Sequence, residues 1–158
     1  MSKPETNLKV HVPYDDLRQW LAEADKLGEV RTANGYSWET EIGMAAELLQ
    51  HKDSAPVGVF DNIPGAPKGF RVMTNFFGAQ RQNMTLGFPP HLDKVELSEA
   101  FLKHFQTIIN NPIPHEVVET GPVMENIMEG DDVDVTKFPT PVWHDGDQGN
   151  RYIGTGSF

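Results

Sequence analysis

The sequence predicts an α/β (α+β) protein, with a mixed-sheet domain over residues 15–112 and a strand-and-turn region over residues 113–158. Three observations carry this. Apolar residues recur at helical spacing in several stretches, with about three to four helices in all. Short runs rich in Val, Ile and Phe lie between them, bounded by Gly, Pro and Asn. After about residue 112 the helical period stops and turn residues dominate. Alternation on one side of that point and turns on the other predict a domain boundary or a linker there.

The polar tail of residues 1–14 has no apolar core of a signal peptide, and Leu8-Lys-Val-His-Val12 alternates as a short edge strand would. A helix follows over residues 16–27, where Leu17, Trp20, Leu21, Ala24 and Leu27 form one stripe. Asp15 or Asp16 can accept its first free amide protons, and Gly28 stands where a left-handed cap ends a helix. Trp20 lies on the stripe and reads as a core anchor.

Residues 29–32 read as a strand closed by the turn pair Asn34-Gly35, and a second helix spans residues 39–51 with Ile42, Ala45, Ala46 and Leu49 inward. Glu39, Glu41 and Glu47 read as its solvated face. Strands are expected at Pro56-Val-Gly-Val-Phe60 and Phe70-Arg-Val-Met-Thr-Asn75, either as hairpin neighbours or apart in a mixed sheet. Phe76-Phe-Gly-Ala-Gln-Arg81 then leads into a short helix ending near Leu86. Strand, glycine and helix in that order also build phosphate loops, but Gly78 stands without the further glycines and Lys that such a loop needs.

Ser98 is the expected cap of a further helix, with Phe101, Leu102, Phe105, Ile108 and Ile109 on a wide apolar face and His104 between them. Asn111-Pro-Ile-Pro114 stops it. Residues 116–119 and 123–125 read as short strands. Gly130-Asp-Asp-Val-Asp-Val-Thr136 reads as a polar loop rather than a metal site.

Composition limits the function. Apolar residues make up 38% and charged residues 23% of the 158, an ordinary globular balance with no run approaching the ~20 apolar residues of a membrane span. A formal charge of -10 with dispersed Lys and Arg argues against nucleic acid or an anionic membrane as partner. The absence of cysteine removes disulfides, thiolate ligands and a Cys nucleophile, and accords with a cytoplasmic location.

The chain leads up to Phe138-Pro-Thr-Pro-Val-Trp-His-Asp-Gly-Asp-Gln-Gly-Asn-Arg-Tyr-Ile-Gly-Thr-Gly-Ser-Phe158. Its Asp145 to Asn150 turn fails as a calcium loop, because Gly149 falls at position 5 and Gly156 at position 12, where oxygen ligands are required. His144 and Asp145 are adjacent in sequence, with no nucleophile to activate. The small residues Gly154, Thr155, Gly156 and Ser157 on a closing strand would let a ligand approach closely. Such a strand needs a neighbour for its backbone groups. The expectation is that the chain is the front of a longer protein.

Five segments in order carry a resemblance: Asp16-Leu-Arg-Gln-Trp-Leu21 with Leu27-Gly-Glu-Val30, Val59-Phe-Asp-Asn-Ile-Pro-Gly65, Asn75-Phe-Phe-Gly78 with Arg81, Phe138-Pro-Thr-Pro with Trp143-His-Asp-Gly-Asp-Gln-Gly, and Tyr152-Ile-Gly-Thr155. Together they resemble the N-terminal part of the UbiD family of reversible decarboxylases, to which ferulic acid decarboxylase belongs. The resemblance implies a mixed α/β domain followed by the start of a split β-barrel. It also implies prenylated flavin mononucleotide with manganese and potassium as cofactors of the full-length protein, and a flavin prenyltransferase as their supplier. The implied substrates are aromatic or α,β-unsaturated carboxylic acids, and the implied assembly is a homo-oligomer. The family's metal ligands and its Arg and paired-Glu catalytic set lie downstream of the Tyr-Ile-x-Thr segment, so no catalytic or metal residue transfers and Thr155 alone transfers as a cofactor-side position. The chain by itself is expected to be inactive. A non-catalytic interaction module and a flavin-binding split barrel without decarboxylase activity are the alternatives.

Overall fold

The computed structural model describes residues 8–52 and 54–153. It contains helix α1 (Leu17–Lys26), strand β1 (Val30–Asn34), helix α2 (Glu41–Gln50), strands β2 (Val57–Asp61) and β3 (Val72–Thr74), helix α3 (Ala79–Thr85) and helix α4 (Lys94–Asn110). The strands form one mixed sheet in the order β1-β2-β3: β1 and β2 run parallel across the α2 crossover, and β3 returns antiparallel to β2. Of the two arrangements open from sequence, β2 and β3 are therefore adjacent.

β2 is the centre because both of its faces are buried. Side chains alternate across a strand, so Val57 and Val59 face one way and pack with Trp20, Ala24 and Met84. Phe60 faces the other way and packs with Ile42 and Ile63. The result is α1 and α3 on one side of the sheet and α2 on the other. Gly58 points toward α2, and a Cβ there would lie 2.7 Å from Leu49 Cδ1 and 2.8 Å from Thr74 Oγ1. The missing side chain is what lets that helix come close.

Sequence signals set the helix ends. Asp16 caps α1 by accepting from the Gln19 amide at 2.8 Å, and Gly28 takes the positive φ of 74° that the chain reversal requires. Trp20 is buried, donates its indole N–H to Thr85 Oγ1 at 2.8 Å and thereby joins α1 to α3. The start of α4 differs from expectation. Its cap is Asp93, not Ser98, because Asp93 and Glu96 form a reciprocal capping box one turn earlier. Ser98 lies inside the helix and donates to the Lys94 carbonyl.

Four expected strands are not formed among the described residues. Residues 8–12 have no strand and are held at His11, whose amide donates to Gly87 O at 2.8 Å. Residues 116–119 form no strand and 122–124 form a 3-10 turn, and neither segment pairs with a sheet edge to complete a ladder. Residues 151–153 are likewise not a strand, and residues 154–158, with the expected strand end, lie outside the described residues.

One buried ion pair ties these elements together. Arg81, on α3, is fully buried, and its guanidinium donates to Glu29 Oε2 at 2.9 Å. It also donates to the Asn75 carbonyl at 2.9 and 2.7 Å and to the Ala55 carbonyl. Glu29, Ala55 and Asn75 stand just before β1, just before β2 and just after β3, so one side chain meets an end of every strand. Asn75 takes a φ of 59°, and the reversal turns its carbonyl toward Arg81. The Glu29 carboxylate in turn accepts the Gln80 and Arg81 amides at 3.1 and 3.2 Å. An internal anion thus occupies the α3 N-terminus, which excludes the phosphate-loop reading there.

Removing one member of a buried, hydrogen-bonded pair leaves an uncompensated charge, a loss of about 3–5 kcal/mol. Arg81→Met is expected to lower unfolding stability in urea by that amount. Arg81→Lys is expected to recover less than half of it, because a single ammonium cannot reach three acceptors. A loss below about 1 kcal/mol for Arg81→Met would contradict the central role given to this residue.

Candidate functional site

The segment after residue 137 returns to the body and builds a cleft against α2 and β3. Pro139 and Pro141 are buried, and Phe138 packs edge-on against Phe70 with ring centroids 5.8 Å apart. The Val142 amide donates to Trp38 O at 2.9 Å. Arg151 closes the loop: its guanidinium stacks 4.3 Å from the Trp38 ring centroid, Nε donates to Thr140 O at 2.9 Å, and a terminal nitrogen donates to Phe138 O. On the helix side Gly43 makes room. A Cβ there would lie 2.5 Å from both the Val142 and Trp143 carbonyl oxygens.

The cleft so formed has a volume of about 300 Å³ and is lined by Glu47, Gln50, Thr74, Asn75, Phe76, Trp143 and His144, among others. Glu47 Oε1 lies 2.8 Å from His51 Nε2, and its other oxygen lies 3.5 Å from His144 Nε2. The hydrogen bond from His51 holds the Glu47 carboxyl below the ordinary carboxylate range, with a smaller contribution from His144. Thr74 Oγ1 is buried with no hydrogen-bond partner among the described residues. A carboxylate flanked by two imidazoles can hold and pass a proton. One orphan hydroxyl can bind a polar atom.

The residues singled out from sequence fall as follows. Thr155, the cofactor-side position, lies outside the described residues. His144 does turn toward a carboxylate, but to Glu47 across the cleft rather than to its neighbour Asp145. Asp147 is engaged in its own turn, where Oδ2 accepts the His144 amide at 3.0 Å. Asp134 accepts from the Thr136 amide and hydroxyl, which lowers its pKa, so the acidic run before it is turn chemistry. Among the described residues no three His, Cys, Asp or Glu side chains gather as metal ligands. Sequence reasoning missed Glu47 and Arg151. The i,i+4 spacing of Glu47 and His51 was the one local signal, and Arg151 gave none because its hydrogen-bond acceptors are 11 to 15 residues away and its ring partner Trp38 lies much earlier in the chain.

No family model matches the chain. In fold it is similar to the vanillic acid decarboxylase of Sedimentibacter hydroxybenzoicus. The open form matches with a TM-score of 0.69 and 22% identity over 87% of this chain and 29% of that one. The closed form matches at 0.68 over 83% and 28%. In sequence it is 34% identical over 129 residues to the pyrrole-2-carboxylic acid decarboxylase of Pseudomonas aeruginosa, covering 75% of this chain and 24% of that protein. It is 30% identical over 116 residues to the phenolic acid decarboxylase of Bacillus subtilis, covering 72% and 24%. The chain is thus a relative of decarboxylases, and it spans about a quarter of the length of the curated relatives it matches. No helix among the described residues is long and apolar enough to cross a membrane.

Two outcomes test the site. Gly43→Ala is expected to push residues 142–143 off α2 while the sheet stays folded. The readouts are changed Trp143 fluorescence and at least about tenfold faster proteolysis near residue 143, with near-native circular dichroism; unchanged cleavage would rule out the close approach. The Glu47 carboxyl is expected to titrate below its ordinary value of 4.5. Because that pKa is depressed in the folded state, its contribution to stability is complete above 4.5 and is lost as pH falls through the folded pKa. Carbon-detected NMR titration, repeated on His51→Ala, should show the value move back up.

Proposed function

We propose that this chain is the N-terminal α/β domain of a reversible decarboxylase acting on aromatic or α,β-unsaturated carboxylic acids through prenylated flavin. The supporting observation is the 34% identity to a pyrrole-2-carboxylic acid decarboxylase over three-quarters of the chain. The ordered motifs at Asn75-Phe-Phe-Gly78 with Arg81 and at residues 138–153 are in keeping with it. In this reading residues 15–112 are a platform and residues 113–158 lead into a flavin-binding split barrel, with Thr155 facing the cofactor. The modified flavin, when bound, supplies the sink for the electron pair released with carbon dioxide. The contribution of the described residues is positional. Arg81 and Glu29 fix the sheet, and Arg151, Trp38 and Gly43 fix where the chain leaves the domain toward the barrel. Manganese and potassium at the flavin, a flavin prenyltransferase as supplier, a cytoplasmic location and a homo-oligomeric enzyme belong to the same proposal.

A second reading, a non-catalytic interaction module, draws on the exposed apolar face of α4, where Leu102, Ile108 and Ile109 are all more than half exposed. One experiment separates the two. The coding sequence is read beyond Phe158, and both its product and the 158-residue chain are made alongside a flavin prenyltransferase. Carbon dioxide release is then measured with heteroaromatic and unsaturated acids. Turnover and flavin absorbance are expected from the longer product alone. A longer product with neither would sink the decarboxylase reading, and turnover by the 158-residue chain would sink the division of labour proposed here.

A further inference from the structure

The side of the sheet turned toward α1 carries a second cleft, distinct from the one at α2. β2 and β3 pair with Val59 opposite Met73, and such cross-strand partners project from the same face. Val59 packs with Trp20 and Ala24 of α1, so Val59 and Met73 together form a floor on the α1 side. Leu17 and Leu21, one turn apart on α1, make one wall. The other wall is a turn over residues 67–70. Its Phe70 amide donates to Pro67 O at 3.2 Å, and Gly69 takes the positive φ of 94° that the third position of such a turn requires. The Phe70 ring is itself held edge-on by Phe138, 5.8 Å away. The cleft has a volume of about 560 Å³, within the roughly 300–1,000 Å³ of small-molecule sites.

Three cations rim this apolar floor. Arg18 precedes Leu21 by three residues and so shares its side of α1, while Lys68 and Arg71 stand on either side of Phe70. No carboxylate lines the cleft, although acidic residues outnumber basic ones by 23 to 13 in the chain. Among the described residues the side chains of Lys68 and Arg71 make no ion pair or hydrogen bond. Arg18 has only a 3.9 Å approach to Asp16, with its side chain 86% exposed. Like charges gathered in this way repel one another, and an anion placed among them removes the repulsion. Every one of these groups comes from residues 17–73, so the site is assembled within the folded domain.

We propose that this cleft binds a small organic carboxylate, with its apolar body on the floor and its charged head among the three cations. The floor of Val59 and Met73 and the Phe70 wall exclude water from the body of such a ligand. The two guanidinium groups present the planar fork of donors that fits a carboxylate, and Lys68 adds a point charge beside them. A purely inorganic anion would leave the apolar floor uncovered, and an uncharged apolar molecule would leave the cations unanswered. The inference is independent of the decarboxylase reading, since binding here involves no turnover.

The test titrates the isotope-labelled 158-residue chain with 3-phenylpropanoate and with octanoate, and with 3-phenylpropanamide as the uncharged match, following backbone amide shifts by NMR. At least one acid is expected to give saturable shifts at residues 17–21 and 68–73, with a dissociation constant below about 1 mM. The tighter of the two assigns the body as a ring or an alkyl chain. The amide is expected to bind at least about tenfold more weakly, and so is the better acid to R18Q/K68Q/R71Q, whose fold is checked by circular dichroism. Added salt is expected to weaken the acid and leave the amide unchanged, since only the charged head is screened. Equal binding of acid and amide, a triple variant that binds as the wild type does, or shifts centred on α4 would overturn the proposal. So would loss of binding in the product read beyond Phe158, because that result places the following part of the chain in the cleft.

Discussion

The buried pair of Arg81 and Glu29 is the constraint on which the rest of this structure depends. A guanidinium with no exposed surface must find an acceptor for each of its donors, and here the acceptors come from the ends of three different strands. The pair therefore fixes the relative positions of chain segments more than 50 residues apart. Glu29 does a second job at the same place by capping α3, so the helix that carries Arg81 is itself held by the residue Arg81 binds. Replacing the pair with apolar residues of similar volume need not cost much stability. What it supplies is a defined geometry for the sheet.

Around that junction the molecule divides by how well its apolar residues are covered. β2 is covered on both faces, and the clusters about Trp20 and about Ile42 account for most of the packed interior. The 138–151 segment is held by backbone contacts and a cation over an aromatic ring, and it needs Gly43 to come close. By contrast α4 buries only Leu97, and its Phe101 and Phe105 rings stack on one another at the surface. Large apolar faces left open in this way mark interaction surfaces. The platform role proposed for this domain follows from that division.

Much of the fold was legible because its elements are written locally. The α1 stripe, the Asp16 cap, the Gly28 reversal and the inward face of α2 all follow from residues within one or two turns of each other. The start of α4 was misplaced for a local reason as well, since the Asp93 and Glu96 box outranks a lone Ser98. The strands expected after residue 112 failed because a strand is a property of two segments, and propensity reports on one. The candidate site was the least legible part. His144 was visible, but its partner Glu47 lies almost 100 residues earlier and looked like an ordinary exposed helix carboxylate. The role of Arg81 was legible only as part of a motif, because its three partners are contributed by tertiary structure.

The most direct test of this account is a double-mutant cycle between the two members of the buried pair. Unfolding free energies of the wild type, Glu29→Gln, Arg81→Met and the double variant give the energy by which each residue depends on the other. The account predicts a coupling above about 1.5 kcal/mol, with the double variant more stable than the sum of the single losses implies. Losses that add to within about 0.5 kcal/mol would contradict it, because two residues acting independently cannot be the junction that positions the three strands.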